Sequence, residues 1–84
     1  MMCFRTDWEK LSAWLEALEK GRWHSAWWPD HVLAPGPAAE HNLPAYEGFS
    51  SLSVALGMTE KLHMGHLVLG TPYRNPALTC KMAG

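Results

Sequence analysis

The sequence predicts an α/β fold with parallel strands, and three observations carry that expectation. Helical and strand-like segments alternate along the chain in the order helix, strand, helix, strand, helix. The second strand-like segment, residues 61–69, is apolar with little alternation, as strands in parallel sheets are. It runs through a short loop into Asn75-Pro76, an N-cap followed by proline at the first helical position, where the missing N–H costs nothing. Alternation of this kind points to a parallel sheet with right-handed crossovers. Two consecutive parallel strands then place their C-terminal ends on one edge, the edge where ligands bind in such folds.

The first helix is expected over residues 7–20. Thr6 and Glu9 have capping-box spacing, and Trp8, Leu11, Leu15 and Leu18 follow at helical intervals with charged residues on the other faces. Gly21 is placed as a left-handed C-terminal residue. Residues 23–28 read as a strand, on the strength of three tryptophans and flanking turn residues. Residues 29–43 hold Pro35, Gly36, Pro37 and Asn42, which is loop composition, and the loop is longer than the usual connection. The second helix is expected over residues 44–56, with Phe49, Leu52, Ser53 and Leu56 on one face and Gly57 as its stop. The third begins at residue 76.

The chain has 84 residues, 48% of them apolar, and a formal net charge of −1. One small globular domain is the upper bound on such a length, and its stability is marginal without a covering partner. Its seven basic residues are scattered, so no nucleic-acid footprint is expected. No run has the length of a membrane span, and residues 1–7 lack the apolar core of a signal peptide. Cys3 and Cys80 have no metal or redox spacing. These features together point to a cytoplasmic protein. Five tryptophans in so short a chain call for large burial partners, which makes self-association an expectation.

Several side chains can carry chemistry. His31, beside Asp30, stands where the first strand ends; it can act as acid, base or hydrogen-bond donor, or one of the pair can simply cap the loop. Arg74 can hold an anion or form a structural salt bridge. Trp27-Trp28 can serve as a ligand platform or as core. The histidines at 24, 31, 41, 63 and 66 include no HxxxH or HxH pair, and no metal site is assigned. No glycine-rich phosphate fingerprint or nucleophile elbow is present.

Four segments together carry a family resemblance: Trp27-Trp-Pro-Asp-His31, Pro44-Ala-Tyr-Glu47, Thr59-Glu-Lys-Leu-His-Met-Gly-His-Leu-Val68, and Tyr73-Arg-Asn-Pro-Ala77 with Lys81-Met-Ala83. In order and spacing they resemble the N-terminal part of the bacterial luciferase-like monooxygenases, oxidoreductases on a TIM barrel that use FMN or the deazaflavin F420. The resemblance spans roughly residues 7 to 83. It implies a partial TIM barrel, a flavin-type cofactor and a small organic substrate. It places His31 near the cofactor ring and makes Leu67, Val68 and Leu69 a bulge that backs the ring, often with a non-prolyl cis peptide. His66 stands where the family commonly has threonine. By that resemblance the family's first strand is missing or reduced to residues 1–5, and its later strands and phosphate-binding loops are not matched. A full barrel takes ~250 residues, so the resemblance implies a segment inactive by itself. A partial barrel that oligomerises without catalysis is the competing expectation.

Overall fold

A computed structural model describes residues 7–32 and 46–84. Among these residues three α-helices, α1 (Trp8–Lys20), α2 (Gly48–Met58) and α3 (Pro76–Ala83), alternate with two strands, β1 (Ser25–Trp28) and β2 (His63–His66), and a short 3-10 turn (Thr71–Tyr73) precedes α3. The strands pair in parallel, with Ser25 opposite His63, Ala26 opposite Met64, Trp27 opposite Gly65 and Trp28 opposite His66. The predicted order and the parallel pairing both hold. Among the described residues the sheet has two strands, which makes an α/β architecture and shows no TIM barrel.

Local chemistry shifts several expected boundaries. The cap of α1 is Asp7, whose carboxylate accepts the Lys10 N–H at 2.9 Å; Thr6 lies outside the described residues. Gly21 closes that helix in an extended conformation (φ −82°) rather than a left-handed one, with its N–H shared between the Ala17 and Leu18 carbonyls. The second helix, expected over residues 44–56, begins at Gly48 because Glu47 caps it. The Glu47 carboxylate accepts from the N–H groups of Phe49 (3.2 Å) and Ser50 (2.7 Å). Gly57 does not stop α2, which continues through Met58. The strands are shorter than residues 23–28 and 61–69 because parallel pairing is confined to four residues on each chain segment. Most of the loop at 29–43 lies outside the described residues.

The core forms where α1 and α2 cover one face of the sheet. Leu11 and Leu15 from α1, Leu52 and Ala55 from α2, and Ala26 and Trp28 from β1 are buried together, with Trp14, Leu18 and Met64 packed at the margin. Trp28 is fully buried, and Trp14 meets it edge-on at 5.9 Å. The α2 face is Phe49, Leu52 and Ala55, with Ser51; Ser53 and Leu56 are exposed, contrary to expectation. Trp8 also stays exposed. The expectation that β2 is covered on both faces fails. Alternation sends Trp28, Met64 and His66 toward the helices and Trp27 and Gly65 to the opposite face, where Trp27 is half exposed.

A second device fixes the turn before β2. Glu19, near the end of α1, accepts the consecutive backbone N–H groups of Glu60 (2.8 Å), Lys61 (2.7 Å) and Leu62 (3.2 Å). Those hydrogen bonds, led by that from Glu60, hold its carboxyl below the usual range. No helix among the described residues is long and apolar enough to cross a membrane.

Candidate functional site

The C-terminal ends of the two strands are tied together by one carboxylate. Asp30, two residues beyond β1, has a side chain only 3% exposed. Its Oδ2 accepts the Gly70 backbone N–H and the Arg74 Nε–H, both at 2.8 Å, and its Oδ1 accepts from Arg74 Nη2. The Tyr73 hydroxyl donates to the Asp30 main-chain carbonyl. Arg74 Nη2 also donates to Glu47, the residue that caps α2. The guanidinium lies 5.5 Å from the Phe49 ring centre and 5.8 Å from that of Tyr73. Three segments, after β1, before α2 and after β2, thus converge on Arg74.

Two glycines make the convergence possible. A Cβ on Gly48 would lie 2.7 Å from Asp30 Oδ1 and 2.8 Å from the Pro29 carbonyl oxygen, so no larger residue fits without displacing the end of β1. A Cβ on Gly70 would overlap the Tyr73 ring. Here glycine serves close approach rather than an unusual φ.

Electrostatics keeps both carboxylates ionised. The Arg74 hydrogen bond dominates at Asp30 and, with Gly70, holds its carboxyl below the ordinary range despite burial. At Glu47, burial acts to raise the value, but hydrogen bonds from Ser50, Arg74 and Phe49 bring it down to about 2. Burial and the nearby Asp30 charge push the Tyr73 phenol up. Two carboxylates against one guanidinium leave a net negative cluster. Of the two readings of Arg74, the salt bridge is the one present, and its charge is already matched.

The cluster lines a cavity of about 360 Å³ with His31, Val32 and Tyr73. His31 is exposed there, at the place its sequence position suggests. Leu67 and Val68 are also exposed, each by about two thirds, and Leu69 is half-buried. The peptide bond between Leu67 and Val68 is cis, and Leu67 N–H bonds back to the Trp28 carbonyl at 2.8 Å. His31 and residues 67–69 therefore occupy one end of the sheet, though Leu67 to Leu69 do not line the His31 cavity.

The two adjacent tryptophans part company. Trp28 is core, whereas Trp27 lies on the open face of the sheet. His66 packs toward α2, 5.3 Å from the Phe49 ring, with both ring nitrogens buried and unpartnered. His24 and His63 stack at 4.8 Å at the other end of the strands. Among the described residues no group of three or more His, Cys, Asp or Glu is arranged to hold a metal. Glu47 and Gly48 carry roles that the sequence does not announce, because both fall inside the helix expected over residues 44–56 rather than at its start.

No family model, no curated protein and no solved structure matches this chain.

Proposed function

We propose that the chain supplies part of the cofactor mouth of a luciferase-like oxidoreductase that uses FMN or F420, acting on a small organic substrate in a cytoplasmic setting. The observation that carries this reading is the joined pair of strand ends, where Asp30 locks the His31 loop to the loop that follows Leu67–Leu69. An uncharged, exposed Leu67–Val68 surface suits the apolar body of an isoalloxazine or deazaflavin ring. A flavin or deazaflavin bound there supplies the hydride and electron chemistry. His31 can then hydrogen-bond a ring heteroatom, while Leu67, Val68 and Leu69 exclude water from one ring face. The matched charge of Arg74 does not suit a phosphate, so this mouth is proposed to hold the ring rather than the phosphate end.

A two-stranded sheet offers a ligand only one shallow wall. Titration of purified chain with FMN and F420 is therefore expected to give saturable binding weaker than about 1 μM, which is less than ~8 kcal/mol, and no turnover. Sub-micromolar binding overturns the idea of an incomplete mouth, and no saturable binding up to about millimolar cofactor overturns the cofactor reading.

One observation favours a second reading. On the sheet face away from α1 and α2, Trp27 is half exposed, as expected of a partial barrel that self-associates without catalysis. Light scattering across a concentration series separates the two: a monomer at every concentration removes this alternative.

A further inference from the structure

We propose that the cavity walled by Arg74 and Glu47 binds a small uncharged carboxamide, which makes carboxamides the substrate class of this mouth. A guanidinium carries five N–H donors in a fixed fork, and here three of them are engaged. Nε and Nη2 hold the two Asp30 oxygens, and Nη2 also reaches Glu47. Nη1 donates to no acceptor among the described residues, yet it is not one of the polar atoms sealed in the interior. Arg74 forms part of the wall of the 360 Å³ cavity, so the two N–H groups of Nη1 open onto it. Asp30 and Glu47 fix the plane of the fork from two sides, and a ligand carbonyl therefore meets donors that are already ordered.

Charge decides which carbonyl fits. Asp30 and Glu47 outnumber the one guanidinium, so a carboxylate or phosphate entering the cavity is repelled. An amidinium or ammonium brings more donors and a like charge to Nη1. An uncharged acceptor meets neither obstacle. Glu47 narrows the class further, because its side chain is 52% exposed and its carboxylate sits directly beside the fork. Acceptor beside donors is the complement of the N–H and C=O of an amide. Val32 and the Tyr73 ring add apolar wall for the body of the molecule, and the volume lies at the small end of ligand pockets. This inference rests on reading the strand ends as a ligand mouth, but not on the presence of a flavin.

Four planar probes of nearly one shape provide the test: benzamide, benzoate, benzamidine and acetophenone. Each is titrated into the ¹⁵N-labelled full chain while the amides of Val32, Glu47, Gly70 and Arg74 are followed. Benzamide is expected to shift them saturably, with a dissociation constant of about 1–10 mM. Benzoate and benzamidine should bind about tenfold more weakly or worse. Acetophenone keeps the carbonyl but offers Glu47 no N–H, and should lose roughly fivefold. Glu47→Gln removes one negative charge while leaving an acceptor for the first turn of α2, and should narrow the gap between benzamide and benzoate severalfold. If that variant fails to fold, the four probes on the unsubstituted chain still decide. The proposal is overturned if benzamide moves none of these amides, or if any of the other three probes binds as tightly. Benzamide binding without FMN or F420 binding sustains the carboxamide site and refutes the flavin reading. FMN shifts at Leu67, Val68 and Leu69 without a benzamide response do the reverse.

Discussion

Asp30 and Arg74 show how one residue pair decides the geometry of a whole edge. A carboxylate with a nearly fully buried side chain is tolerable only because three donors reach it, two of them from one guanidinium. Replacing Arg74 with methionine leaves that charge uncompensated, and chemical denaturation is expected to register a loss of about 3–5 kcal/mol. Lysine should not rescue it, because a point charge cannot reproduce the fork that serves Asp30 and Glu47 together. The pH dependence has a definite sign. Asp30 and Glu47 both titrate lower in the folded chain than in the unfolded one, so their contribution is fully present above the unfolded values near ~4. It disappears as pH falls through the folded ones, for Glu47 about 2. Unfolding midpoints measured between about pH 5 and pH 2 should fall more steeply for the unsubstituted chain than for Arg74→Met.

At the scale of elements, the Glu19 carboxylate joins α1 to the turn before β2 through three consecutive backbone N–H groups. Glu19→Ala is expected to speed hydrogen exchange at the amides of Glu60, Lys61 and Leu62 while those of Leu11 and Leu15 stay protected. Gly48→Ala should separate α2 from the end of β1, lowering the melting temperature and weakening any ligand held by the His31 cavity. Much of this element layout was legible in the sequence. Helical spacing marked α1, and Asn75-Pro76 marked the start of α3, where Asn75 Oδ1 does accept from Ala77 and Leu78. Alternation of helix and strand was enough for the parallel pairing, and the strand ends bring His31 near the segment after β2. What could not be read was tertiary. Nothing local distinguishes Trp27 from Trp28, since only the register and the side the helices cover decide which is core. Likewise α2 starts after Glu47 and not at residue 44, because a carboxylate satisfied by two N–H groups and a guanidinium outweighs weak propensities.

For the molecule as a whole, one face of a two-stranded sheet and two helices make a single core around Trp28. A chain of 84 residues has a total stability of roughly 4–12 kcal/mol. Truncating a fully buried tryptophan to alanine costs about 3–5 kcal/mol, so Trp28→Ala is expected to abolish cooperative thermal unfolding, as read by circular dichroism. Trp27→Ala, on the open face, should leave the transition cooperative. That contrast tests the assignment of core and open face independently of any ligand.

Glu47 carries a consequence for how this molecule can be watched. A single carboxylate serves both the first turn of α2 and the guanidinium that gathers the strand ends. Fraying of the helix and loosening of the mouth are thus linked, and linkage is reciprocal: whatever steadies one must steady the other by the same free energy. The amides of Phe49 and Ser50 become a built-in gauge, slowing their exchange when the mouth is occupied although neither side chain need touch what fills it.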